Sequence, residues 1–285
     1  MGEKIIVSLT TWSKRIKNIP VVLDTIFEQT TKPDLVVLNL AYDEVVPEDI
    51  QNYIDSHHIE VNRVPDTKVY KKLIPTLKKY PNDCIISIDD DWLYPKEMIA
   101  DFVKIHMLYP DFPISGNDIV IFGLQCHCGC ASLTKAEYFA EYLSKIDDEV
   151  ISKCPSDDIV YTFFASLSGH PYIRAEKQYF KNMEPFGQND GYTETNQVIY
   201  SSISQSFHFL TERFGKVPSP ISYYENEYWA HLYSDIFSNN IKFAIKEAEN
   251  KICQSHTFRI GQFILKPFME IKQLLRRYID MKPKV

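Results

Sequence analysis

The sequence predicts an α/β fold in which a mostly parallel β-sheet is flanked by helices on both faces. Two observations predict it. Short apolar runs of strand length alternate with amphipathic stretches of helix length from Lys4 to Tyr109, and strand–helix–strand order lays successive strands side by side in parallel. The chain of 285 residues is also 45% hydrophobic and 24% charged, enough to bury a large core and too apolar for a disordered chain.

In order, residues 4–9 read as a strand, 19–28 as a helix, 35–40 as a strand, 47–56 as a helix, 59–64 as a strand and 73–79 as a helix. Cys84–Ile88 reads as the fourth strand, and 95–109 as a helix that Pro95 can begin. The second half is less regular, with 119–124 strand-like and 157–167 and 195–214 helical. Ligands of such sheets bind beyond the carboxyl ends of the strands, which points to the residues after Leu9, Leu40, Val64 and Ile88.

A formal charge of −7 disfavours nucleic acid as a partner, because phosphate binders cluster Lys and Arg. No secretory leader opens the chain and no apolar run approaches the roughly 20 residues of a membrane span, so the six cysteines read as reduced and the body as cytoplasmic. Residues 258–285 differ from the rest: Ile260, Phe263, Ile264, Phe268, Ile271 and Leu275 recur at helical spacing in a segment of net charge +5. This basic amphipathic tail has two readings, peripheral docking on the anionic inner face of the cell membrane and packing of its apolar stripe on the body.

The chemistry concentrates where the fourth strand ends, at Asp89, Asp90 and Asp91. Three adjacent carboxylates repel one another, which is costly unless a cation joins them. Residues 89 and 91 point the same way on an extended chain, so they can share one divalent ion, or one can hold the ion and the other a ribose hydroxyl. Mn²⁺ or Mg²⁺ suits such oxygen ligands and commonly bridges them to a diphosphate. The plainer alternative is a solvated acidic turn capping the next helix.

Three segments carry a family resemblance: Ile-Val-Ser-Leu-Thr-Thr-Trp-Ser-Lys-Arg-Ile at 6–16, Tyr-Lys-Lys-Leu-Ile-Pro at 70–75, and Ile-Ser-Ile-Asp-Asp-Asp-Trp-Leu-Tyr-Pro at 86–95. In that order they resemble the bacterial glycosyltransferases of lipopolysaccharide and capsular polysaccharide synthesis, family 2-like enzymes with a GT-A fold and an Asp-x-Asp signature. The resemblance implies a Rossmann-like nucleotide-diphospho-sugar transferase fold over 1–257, with a nucleotide-sugar-binding half at 1–125 and an acceptor-binding half at 126–257, before the tail at 258–285. It implies that Thr10, Thr11, Arg15, Asp66, Lys72, Asp89 and Asp90 bind the nucleotide sugar and that Asp89 and Asp91 hold the metal. Two departures stand out: Trp12-Ser13 replaces a common Tyr-Pro, and Lys68-Val69 a common Gly-Pro. Without the resemblance Arg15 and Lys72 read as surface cations.

Asp157 and Asp158 precede an apolar helix, whose dipole and free amides favour ionised carboxylates. One of them, Asp158 in preference to Asp157, can act as the base that takes the acceptor's proton in an inverting transfer; helix capping is the alternative. Cys126, Cys128 and Cys130 alternate around His127 without the paired spacing of zinc sites, so they read as small buried groups sharing one face of a strand. The resemblance implies that the segment after Cys128 borders the sugar or acceptor. His170, His208 and His231 are candidates for a further metal ligand, and the tyrosine-rich stretch through Tyr223, Tyr224, Tyr228 and Trp229 for acceptor stacking.

The function these features imply is metal-dependent transfer of a hexose or N-acetylhexosamine from a UDP-sugar to a glycan or lipid-linked glycan acceptor. A sugar nucleotidyltransferase is one rival, although such enzymes carry a glycine-rich loop after the first strand and this chain has no glycine between Gly2 and Gly116. A non-catalytic sugar or nucleotide binder of the same fold is the other.

Overall fold

The computed structural model describes residues 2–117, 119–175, 179, 183–187 and 196–217, all within the compact unit Met1–Glu225. The expected tail, His231 and the tyrosine-rich stretch lie outside the described residues. The first half follows the predicted alternation: β1 (Ile5–Thr10), α1 (Ile19–Phe27), β2 (Leu35–Ala41), α2 (Glu48–Ser56), β3 (Glu60–Val64), α3 (Ile74–Lys79) and β4 (Cys84–Ile88). Next come β5 (Trp92–Leu93), α4 (Met98–Leu108), β6 (Ile114–Ser115), β7 (Val120–Ile121), β8 (Leu124–Gln125) and β9 (Ala131–Thr134). The series closes with α5 (Asp148–Lys153), α6 (Asp157–Leu167), β10 (Ile173–Arg174), β11 (Glu184–Pro185) and α7 (Asn196–Phe214).

Seven strands form the main sheet in the order β10-β6-β9-β4-β1-β2-β3. All its neighbours pair in parallel except β9, which runs antiparallel to both β4 and β6. The central strands are covered on both faces, which is why β4 is wholly buried and its sequence Cys-Ile-Ile-Ser-Ile shows no polar alternation. No helix among the described residues is long and apolar enough to cross a membrane.

Two elements differ from expectation. Helix α4 starts at Met98, not at Pro95, because Trp92–Leu93 is drawn into a two-stranded ribbon with Glu184–Pro185. Residues 119–124 form no single strand: Phe122 (φ 50°) and Gly123 (φ 81°) are both left-handed, as the tight two-residue turn between β7 and β8 requires.

A buried polar seam fixes the segment between β3 and β4. Ser8 on β1 donates to the Lys72 carbonyl at 2.5 Å and lies 2.7 Å from the Thr76 hydroxyl. Asn39 on β2 donates to Ser8 Oγ (3.1 Å) and Thr76 Oγ1 (2.9 Å), and accepts from Asn62 (2.8 Å). Tyr70 in turn donates to the Cys154 carbonyl at 2.5 Å, joining this segment to the residues that lead into α6. Satisfied groups of this kind rigidify, and removing one partner is costly. Ser8→Ala leaves the Lys72 carbonyl without its donor, so a loss of about 1–3 kcal/mol is expected, read as a lower urea midpoint at unchanged m-value.

Candidate active site

The chain leaves β1 at Thr10 and β4 at Ile88, neighbouring strands whose ends meet at the carboxyl edge of the sheet. Thr11 donates to Asp90 Oδ2 at 2.5 Å. Arg15 sits in the turn after β1 and forks between Asp90 Oδ1 (2.5 Å) and Asp91 Oδ2 (2.6 Å). The Asn18 amide donates to the Asp90 carbonyl at 3.2 Å. From the other side, the buried Tyr94 hydroxyl accepts from the Asp89 amide (2.9 Å) and lies 3.1 Å from the Asp89 carbonyl, where it donates. The three aspartates are therefore a clamped turn.

Asp90 is 1% exposed, and burial, only partly offset by Arg15, pushes its carboxyl up to about 6. Burial and the neighbouring Asp89 also raise Asp91. Asp89 is the most open of the three, with 31% of its side chain exposed. Its all-oxygen donor set, together with that of Asp91, is one that could hold Mn²⁺ or Mg²⁺.

Lys72 joins this turn to the second acidic pair. Its ammonium lies 2.9 Å from Asp89 Oδ1 and 3.3 Å from Asp157 Oδ2, while the residue as a whole is 4% exposed. Burial opposes its charge, but Asp157, Asp89 and Asp158 together hold its pKa well above the ordinary lysine value. Lys72 is thus an interior cation and not the surface residue its type suggests. It is seated by a turn in which Lys68 takes the left-handed φ of 55°; a side chain there costs about 1–2 kcal/mol.

Asp157 and Asp158 occupy the first turn of α6, after Ser156. Against the helix dipole, burial raises both carboxyls, while the Lys72 ammonium lowers them. Asp158, pushed up to about 8 by burial and then by Asp157, keeps 38% of its side chain open to solvent, which tempers that shift. Ser156 makes no side-chain cap.

The loop between β8 and β9 closes over these groups. Ala131 starts β9 opposite Ile88, the last residue of β4, so residues 126–130 arrive beside Asp89. A Cβ on Gly129 would collide with the Lys72 ammonium and lie 3.0 Å from Asp158 Oδ1, so a side chain there would displace Lys72 from its seat. His127 is fully buried and held neutral, by burial first and by the Lys72 charge second. Its Nδ1 lies 2.9 Å from the Tyr172 hydroxyl and its Nε2 4.0 Å from Asp158 Oδ1. Thr162 accepts from the His127 amide (2.8 Å) and donates to the Asp158 carbonyl (2.6 Å), locking loop to helix. Cys126, Cys128 and Cys130 lie in this loop and not on a strand face as the alternation suggests, and all are buried free thiols.

The fold has a counterpart among solved structures. No protein-family model matches the chain, and no curated protein matches it in sequence. The structure of mannosyltransferase PcManGT from Pyrobaculum calidifontis, in complex with GDP-Man and Mn²⁺, superposes with a TM-score of 0.54 at 16% identity, over 99% of this chain and 84% of that one. Glucosyl-3-phosphoglycerate synthase from Mycobacterium tuberculosis gives 0.46 at 14% identity, over 77% and 82%. The chain has a GT-A fold.

Placed on this GT-A sheet, Thr11, Arg15, Lys72, Asp89, Asp90, Asp91, Asp157 and Asp158 converge. Thr10 stands apart, donating to the Asn39 carbonyl at 2.8 Å where β1 meets β2. Asp66 follows β3, three strand positions from β4 and so about 14 Å away; its side chain is 61% exposed and pairs with Lys71. His170 is beyond the far end of α6, bonded to the Asp111 carbonyl, and His208 is exposed beside Glu212. Sequence reasoning missed Asn18 and His127 as site residues, and neither left a signal of its own.

Proposed function

We propose that this chain is a metal-dependent hexosyltransferase, moving a hexose or N-acetylhexosamine from a UDP-sugar to a glycan or lipid-linked glycan in cell-surface polysaccharide synthesis, with inversion at the anomeric carbon. One observation carries the reading: a donor-side carboxylate turn and a second carboxylate pair share the buried Lys72 ammonium at the carboxyl edge of a GT-A sheet. The presence of GDP-Man and Mn²⁺ in the PcManGT structure supports a nucleotide-sugar donor and this class of metal. Uridine, the polysaccharide pathway, a cytoplasmic setting and peripheral membrane contact through 258–285 rest on the sequence.

In this reading Thr10, Thr11 and Asp66 line the nucleotide, which spans the strand ends from β3 to β4. Asp90 orients Arg15 and Thr11 from below. Asp89 and Asp91 hold Mn²⁺ or Mg²⁺, which supplies Lewis-acid neutralisation of the leaving diphosphate. Lys72 keeps Asp89 and Asp157 from repelling one another. Asp158 takes the proton of the acceptor hydroxyl as its oxygen bonds to the anomeric carbon, and the bond from that carbon to the diphosphate oxygen breaks. Gly129 leaves the room that the Lys72 ammonium occupies between the two carboxylate groups.

The test is a panel of UDP-, GDP- and ADP-sugars with Mn²⁺, scored for free nucleoside diphosphate and for product mass. The expected result is release of UDP that stops on adding chelator and returns with excess Mn²⁺. Pyrophosphate chemistry would instead favour the nucleotidyltransferase, silence with every donor the non-catalytic binder, and release indifferent to chelator would end the metal assignment.

A further inference from the structure

We propose that Glu3, Cys84 and His106 form a second metal site, selective for Zn²⁺, at the opposite rim of the sheet. Glu3 precedes β1, Cys84 opens β4 and His106 lies in the last turn of α4. One ligand atom from each falls within 4.8 Å of the other two. Cys84 stands five residues before Asp89 on an extended strand, so the site lies about 16 Å from the aspartate turn.

The hydrogen bonds around these residues orient them as ligands. The Tyr138 hydroxyl donates its one proton to the Pro110 carbonyl at 2.5 Å, so toward His106 Nδ1, 3.5 Å away, it can only accept. With the ring hydrogen on Nδ1, the Nε2 lone pair faces Glu3 Oε2 at 3.2 Å; with the hydrogen on Nε2, that nitrogen donates to the carboxylate. A lone pair set against a carboxylate oxygen calls for a positive charge between them. A proton on Nε2 and the Cys84 thiol hydrogen, which also bonds to Glu3, are one way to supply it; a metal ion replaces both and uses all three donors. The other Glu3 oxygen is held by the Lys135 ammonium at 2.7 Å, which directs Oε2 inward. Outer partners of this kind, on the far side of both imidazole and carboxylate, are what fixes metal ligands in place.

The donor set selects the ion. Imidazole, thiolate and carboxylate together suit Zn²⁺, whereas Mn²⁺ and Mg²⁺ prefer oxygen alone. One thiolate and one carboxylate neutralise the ion, so Lys135 can stay where it is. Glu3, with a third of its side chain exposed, gives a path in and leaves the fourth position to water. A filled site ties the start of β1, the start of β4 and the end of α4 into one knot.

The test uses the full chain, stripped of metal by chelator and checked by circular dichroism. Equilibrium dialysis against micromolar Zn²⁺ is expected to give one ion per chain, and Co²⁺ to give a thiolate-to-cobalt absorption band. Cys84→Ala is expected to abolish the band; Glu3→Gln, a surface change that leaves the core intact, and His106→Gln to weaken zinc binding about 10-fold or more; Cys128→Ser to change neither. Absence of zinc from the wild-type chain, a band that survives Cys84→Ala, or unaltered affinity in both Glu3→Gln and His106→Gln overturns the proposal. None of these outcomes bears on the transferase reading, whose test uses different residues and Mn²⁺.

Discussion

Asp158→Asn is expected to lower kcat by about 10²–10⁴-fold with little change in the KM for the donor. Asp158 is the one carboxylate of its pair that keeps an open side, since Asp157 is 5% exposed and turned to Lys72. Its Oδ1 is the buried side of the carboxyl, turned toward Gly129, whose backbone amide bonds to the side chain. A carboxyl pushed up to about 8 is matched to proton transfer near neutral pH, and the rate should climb as pH rises through that value, because the base must be ionised. The stability sign is opposite. The folded state holds this proton more tightly than the unfolded chain, so stability falls as pH rises from the ordinary carboxyl range toward 8. The Asn variant should flatten both trends. Full kcat in Asp158→Asn would remove the base assignment, and a loss confined to Asp157→Asn would transfer it.

Lys72→Met should destabilise the fold by about 3–5 kcal/mol. Methionine keeps most of the unbranched stem but not the charge, so Asp89 and Asp157 lose the cation at 2.9 and 3.3 Å while staying crowded together. An unpaired buried charge costs more than the pair contributed. Adding Asp157→Asn to the same chain should therefore restore part of the loss, and a double-mutant cycle in urea measures that coupling. A single variant as stable as the wild type would mean that the ammonium is dispensable to the fold. The double variant should still lack transferase activity, because it lacks the ammonium that faces the donor turn.

How much of this was legible follows from what each feature depends on. The strand–helix alternation up to α4 could be read because apolar runs and amphipathic stretches are local, and the bounds of β4 and α6 agree with the sequence reading. Strands of two residues, such as β6 and β10, are too short to show any period; they exist only because neighbours pair with them. The hairpin of β7 and β8 left one usable sign, Gly123 after Phe122. At the site, the acidic runs were visible as runs, but the burial of Lys72 was not. It depends on Ser8, Asn39 and Thr76, which meet only once three segments are assembled. The burial of Asp157 and Asp158 was not legible for the same reason: the helix terminus is local, whereas the desolvation that raises both carboxyls comes from the assembled fold.

The reversed direction of β9 has a further consequence. Because that strand begins where β4 stops, residues 126–130 reach the acidic cluster as one short loop, anchored at both ends by β8 and β9. With Gly129 against Lys72 and Thr162 bonded to the His127 amide, a change in the length of that loop would be felt at the ammonium and at the start of α6 together.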